Sequence, residues 1–123
     1  METCKNDSSL DPDESHAIAN VHSYDGVITF EGGGVYLGMV ISAPLDESER
    51  TLARFAEKQR FYLESFFSEY GKREWGTPRE NKMKIFVDIH RRSSAAAFEL
   101  LKRFELEANG RGVELRVQTI GTD

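Results

Sequence analysis

The spacing of apolar residues changes along this chain, and each change marks a different kind of element. From residue 17 to 43 they alternate or run in short blocks broken by glycine, the signature of strands and tight turns. Ala17-Ile18-Ala19-Asn20-Val21-His22 alternates, Asp25-Gly26 is a two-residue hairpin signal, and Val27-Ile28-Thr29-Phe30 continues beyond it. Gly32-Gly33-Gly34 is a second break, and Val35-Tyr36-Leu37-Gly38-Met39-Val40-Ile41 reads as a third strand. The glycine triplet invites comparison with a phosphate loop. No Gly-Lys-Ser/Thr and no helix follow it, so it reads as a turn.

After Pro44 the period lengthens. Asp46 and Glu49 form a capping-box pattern that sets a long helix near Glu47. Leu52, Phe55, Ala56, Tyr62, Leu63, Phe66, Phe67 and Tyr70 recur at three- and four-residue spacing, with Glu57, Lys58, Arg60 and Glu64 elsewhere. Such an aromatic stripe reads as core rather than as a ligand box or partner groove. Gly71 is expected to stop the helix, and 72–81 to form a polar connection whose Trp75 either plugs the helix end or faces a partner.

Residues 82–119 organise the rest. Met83-Lys84-Ile85-Phe86-Val87-Asp88-Ile89 is nearly continuous apolar sequence, as in a central strand covered on both sides. A basic loop, His90-Arg91-Arg92, leads to a helix opening at Ser93-Ser94, with Ala97, Phe98, Leu101, Phe104 and Ala108 on one face and Gly110 as its terminator. Val113, Leu115 and Val117 then alternate with Glu114, Arg116 and Gln118, as a half-exposed strand near a sheet edge would. This is one β-α-β unit, whose natural geometry is parallel. The expected fold is α/β: a mixed β-sheet with helices mainly on one face, in the order β-β-β-α-β-α-β. Residues 16–123 form a single domain behind an acidic tail, residues 1–15, expected to be disordered.

Composition narrows the function classes. A net charge of −5 argues against a nucleic-acid partner, which needs a basic face. A lone Cys4 in the tail excludes a disulfide framework and a zinc cluster. Asp11, Asp13 and Glu14 lack the spacing of a calcium loop, and Pro12 interrupts them. No apolar run reaches the roughly 18 residues of a membrane span, and the polar start lacks the features of a secretory signal. A soluble cytoplasmic protein without metal or cofactor is expected.

Open α/β sheets bind at the carboxyl ends of their strands, which directs attention to residues 90–94. A helix N-terminus beside Arg91 and Arg92 favours a phosphoryl group or carboxylate. His90, Arg91, Arg92, Ser93 and Ser94 are therefore the candidate partner- or anion-binding residues, and Ser93 and Ser94 the candidate phosphorylation sites. One of the serines caps the helix in any case, worth about 1 kcal/mol. His90 lies three residues from Ser93, but no nucleophile-elbow pattern surrounds either serine. Asp88 is as readily an ion-pair partner of Arg91, Arg92 or Arg116 as a base, and no enzyme activity is expected. An exposed closing strand leaves a homodimer open.

Val87-Asp88-Ile89 followed by Ser93-Ser94 and a helix resembles a STAS domain, the family of anti-anti-sigma-factor regulators. Leu100-Leu101-Lys102-Arg103, Gly110, Gly112 and Val113-Glu114-Leu115-Arg116-Val117 resemble that family's helix, turn and closing strand. The spacing from Asp88 to Ser93, with Phe61-Tyr62-Leu63 before Phe66-Phe67, is similar to the compact SiaC-like branch of bacterial phosphoproteins. Arg92 stands where that branch carries its phosphorylated threonine, and Ala95 replaces the family's glycine. The resemblance implies a non-enzymatic regulatory protein that binds a kinase, phosphatase or anti-sigma-like regulator and is switched by serine phosphorylation at the start of its second helix. The alternative is a phosphorylation-independent protein- or anion-binding module using the basic loop 90–94.

Overall fold

The computed structural model describes residues 10–76 and 82–121. Strands β1 (Gly26–Thr29) and β2 (Val35–Ile41) come first, followed by helices α1 (Glu49–Phe67) and α2 (Glu69–Trp75). Strand β3 (Met83–His90), helix α3 (Ala95–Gly110) and strand β4 (Glu114–Ile120) complete the order. The sheet runs β1-β2-β3-β4, with β1 antiparallel to β2 and the other pairs parallel. The fold is thus α/β with a mixed four-stranded sheet.

Both crossovers step the same way across the sheet, and right-handed connections therefore bring α1 and α3 to the same face. Leu37, Met39 and Ile41 from β2 and Ile85, Val87 and Ile89 from β3 are buried with Phe55, Tyr62, Phe66, Leu101 and Phe104 from the helices. The Tyr62 hydroxyl also donates to the Gly38 carbonyl at 2.6 Å, tying α1 to β2. Strand β3 is central, but the described residues cover only one of its faces: Phe86, which points the other way, is 39% exposed. Its apolar run had suggested cover on both sides.

Among the described residues two strands, not three, precede the first helix. Residues 17–22 form no strand, although Ile18 and Val21 are buried. Their carbonyls are taken by cations of α1 instead of a neighbouring strand. Arg54 Nε donates to Ile18 O at 3.0 Å, and Nη2 reaches Ile18 O and Ala19 O at 2.6 and 3.1 Å. One turn on, Lys58 Nζ donates to Asn20 O and Ser23 O at 3.0 and 3.2 Å. Gly26 opens β1 and is not a turn residue; the hairpin is made at the glycine triplet, where Gly32, Gly33 and Gly34 all have positive φ. A Cβ on Gly34 would come within 2.8 Å of Lys82 O.

Residues 10–13, expected to belong to the tail, are tied to the domain. Arg54 Nη1 donates to Asp11 O at 2.8 Å, Arg50 pairs with Asp13, and Leu10 packs against the core. Residues 1–9 lie outside the described residues, as do 77–81 with Pro78.

Helix boundaries moved for identifiable reasons. Ser48 is the N-cap of α1, accepting from Thr51 N, while Asp46 accepts from the Ser48 N–H and hydroxyl. Gly71 does not end the helix. Ser68 closes α1 and caps α2, and Gly71 sits inside α2, where a Cβ would fall 2.0 Å from Ser65 O. Gly76, at φ 88°, follows Trp75, which is buried against Phe66 and Tyr24 and so plugs the helix end. At the end of α3 the positive φ belongs to Gly112, not Gly110. Strand β4 lies at the sheet edge.

Replacing Arg54 with methionine fills the same space and leaves the carbonyls of Asp11, Ile18 and Ala19 without these donors. An unfolding free energy about 2–4 kcal/mol lower in urea is expected. An unchanged midpoint would show that the N-terminal segment does not depend on this clamp.

Candidate functional site

Strands β2, β3 and β4 run parallel, so their carboxyl ends meet at one rim of the sheet. The candidate loop 90–94 is fastened there on two sides. Arg91 N donates to Ile120 O at 2.8 Å, linking it to the end of β4. Ser94 N donates to Leu45 O at 2.7 Å, linking it to the segment that leaves β2. Leu45 N in turn donates to Ser93 Oγ at 3.0 Å. The Leu45 backbone therefore donates to the Ser93 side chain and accepts from the Ser94 amide, 48 or more residues away in sequence.

The serines are divided by this arrangement. Ser93 is only 9% exposed, and its hydroxyl is the partner of a buried amide. Ser94 is half-buried and caps α3, accepting from Ala97 N at 3.1 Å. Arg91 and Arg92 are exposed. His90 Nδ1 accepts from Arg92 N at 3.1 Å, which orients the ring along the loop rather than toward the Ser93 hydroxyl. The His90–Ser93 pairing that a nucleophile requires is thus not formed. Asp88 lies on the uncovered face of β3, beside Val40 and Gln118, and Arg116 pairs with Glu114. The loop gathers His90, Arg91 and Arg92 at the surface while Ser93 serves the interior. Two guanidinium groups on a fixed backbone can hold a carboxylate or a phosphate.

The start of α1 lies next to this rim through residues 45–48. Hydrogen bonds from Ser48 and Thr51 hold the Asp46 carboxyl down to about 2, so it is ionised at neutral pH. His16 bridges the same corner: its Nε2 meets Thr51 Oγ1 at 3.0 Å and its Nδ1 accepts from Ile18 N at 2.9 Å. Burial, with Arg54 and Arg50 nearby, lowers its pKa. Sequence patterns gave no sign of the Leu45–Ser93 or His16–Thr51 contacts, because each joins residues far apart in the chain.

A shallow groove between α1 and α3 is floored by Leu63, Leu100 and Phe104. Gln59 Nε2 is buried beside it without a partner among the described residues. Among those residues no group of three or more His, Cys, Asp or Glu side chains comes together as a metal site. No helix among them is long and apolar enough to cross a membrane.

No protein-family model matches this sequence, and no curated protein matches it as a relative. Among solved structures, a chain of a CdiA-CT/CdiI toxin and immunity complex from Yersinia pseudotuberculosis is similar, with a TM-score of 0.51 and 12% identity. The match covers 83% of this chain and 85% of the other. At that identity the likeness is one of fold.

Two outcomes follow from the rim. Ser93→Ala orphans the buried Leu45 amide and should cost about 1–3 kcal/mol in urea unfolding. Ser94→Ala removes a cap and should cost about 1 kcal/mol. A Ser93→Ala protein as stable as wild type would remove Ser93 from its structural role. For pH, the folded pKa of His16 lies below the ordinary 6.5, so the unfolded chain binds the proton first. Stability should then fall as pH descends through about 6.5, well before the depressed carboxyls of Asp46 and Glu57 take up protons below about 4. His16→Asn keeps an acceptor for Ile18 N, as Asn20 Oδ1 accepts from His22 N. Its melting temperature should drop less than that of wild type between about pH 7.5 and 5; parallel curves would contradict the assignment.

Proposed function

We propose that this chain is a non-enzymatic regulatory domain that binds a partner protein at the carboxyl rim of its sheet. Arg91 and Arg92 would hold an acidic group of that partner. The observation that carries this reading is the division of labour in loop 90–94: the loop is pinned to Leu45 and Ile120, and its two arginines are exposed. A pinned loop loses little conformational entropy on docking, and paired guanidinium groups suit carboxylate recognition. The similar fold in a toxin and immunity complex is a precedent for such a domain acting in a protein–protein assembly. The STAS-like features of residues 82–119 would make the partner a kinase, phosphatase or anti-sigma-type regulator.

The phosphorylation switch in this reading belongs to Ser94 rather than Ser93. Ser94 is partly exposed and stands at the start of α3, where roughly two added negative charges are favoured by the helix N-terminus. Phosphate on Ser93 would displace the Leu45 amide from its acceptor.

Affinity capture from an extract of the source cells, quantified for wild type against the Arg91→Ala, Arg92→Ala double variant, tests the reading. Specific partners should be retained by wild type and reduced at least about tenfold with the variant, as expected for a desolvated charge contact of about 1.4 kcal/mol or more. Equal capture by a folded variant would rule the basic loop out. Phosphopeptide mapping of residues 93–102 in the same cells separates the switch from the plain binding module.

A further inference from the structure

The sheet face opposite the helices carries apolar side chains that no described element covers. Ile28 is 59%, Val40 47% and Phe86 39% exposed. Tyr36 stands among them, edge-on to Phe86 at 5.4 Å and beneath Lys84 Nζ at 5.2 Å from its ring centre. This face does not include the two arginines of the rim loop.

We propose that this face binds a second copy of the chain, sheet on sheet. The two-fold axis would lie in the interface, across the strands, at the level of Gly38 and Phe86. The register sets the geometry: Tyr36 lies beside Lys84, Gly38 beside Phe86, and Val40 beside Asp88. Such an axis reverses the strand direction between copies. Lys84 of one copy then faces Asp88 of the other, Tyr36 faces Val40, and Phe86 meets its own equivalent. The Lys84–Asp88 and Tyr36–Val40 contacts are each made twice and the Phe86 contact once, on the axis, as a closed symmetric interface requires.

Charge favours this occupant. The strand residues of the face include two cations, Lys84 and Arg116, and two anions, Asp88 and Glu114, on a chain of net charge −5. The two faces are neutral overall, and the one like-charge meeting, Arg116 with its own equivalent at the level of Phe86, is offset by the Arg116–Glu114 pair within each copy. Twisted sheets cross at about 30° when packed face to face. With the pivot at Phe86, residues two positions away are displaced by only about 3 Å. Lysine and aspartate side chains span that shift.

The area limits the affinity. Three strands of seven or eight residues and the four-residue β1, about 4.8 Å apart, give a footprint of about 400 Å² per copy, or about 800 Å² in all. That is below the range of stable specific interfaces, so the dimer is weak and reversible.

Sedimentation equilibrium of the full chain between about 1 and 500 µM, a range that brackets weak association, tests the proposal. Wild type should pass from monomer to dimer. Phe86→Glu changes an exposed position and should remain folded and monomeric throughout. Lys84→Glu and Asp88→Lys each set like charges face to face and should weaken self-association at least about tenfold. Mixed one to one, these two variants restore both opposite-charge contacts and should form a heterodimer of near wild-type affinity. The proposal is overturned by a wild type that stays monomeric, by a dimer that survives Phe86→Glu, or by variants that fail to pair when mixed. Survival of the dimer in Phe86→Glu would point to another surface, such as the β4 edge.

Discussion

Strands β2, β3 and β4 lie side by side in chain order, and that single constraint shapes the rest of the molecule. Two right-handed crossovers stepping in one direction can only place α1 and α3 on the same side. One face of the sheet becomes core, with Leu37, Met39, Ile85 and Val87 fully enclosed. The other receives no layer from the described residues, and Tyr36, Val40 and Phe86 are left on it. The same parallel arrangement brings three strand ends to one rim, where segments from distant parts of the sequence meet. The rim and the exposed sheet face are both consequences of topology before any side chain is considered.

Side chains then decide what each surface can do. At the rim, the bonds between Leu45 and Ser93–Ser94 convert the four-residue connection between β3 and α3 into a fixed platform. The Ser93 hydroxyl looks like chemistry in sequence but completes the hydrogen bonding of a buried amide. Arg91 and Arg92 have the opposite disposition and are exposed. On the helical side, Arg54 and Lys58 use a full turn of α1 to satisfy the carbonyls of an irregular segment. Their burial is tolerable because the donors are matched by acceptors, in contrast to an unpaired buried cation.

Much of this was legible in the sequence where period and punctuation agreed. The alternation of β2, the face of α1, the β3–α3–β4 unit and the capping serine of α3 all come from local patterns. The strand expected at 17–22 did not form because its apolar residues, Ile18 and Val21, face a helix while its carbonyls are claimed by Arg54 and Lys58, some 35 positions away. Gly71 reads as a stop signal, yet it is required inside α2 by the close approach of the Ser65 carbonyl. Phe86 within an apolar run looks like core, and only the shared side of the crossovers shows that it is not. Ser93 and Ser94 are neighbours of identical chemistry, and long-range contacts alone assign them different tasks.

The most direct measurement is hydroxyl-radical footprinting of this protein in an extract of its source cells, compared with the purified chain at the same concentration. If the rim is the partner-binding surface, labelling of residues 90–92 falls in the extract while the outer surfaces of α1 and α3 react as before. Unchanged labelling at 90–92, with protection concentrated on the helices, would contradict the central claim and place the contact on the opposite layer.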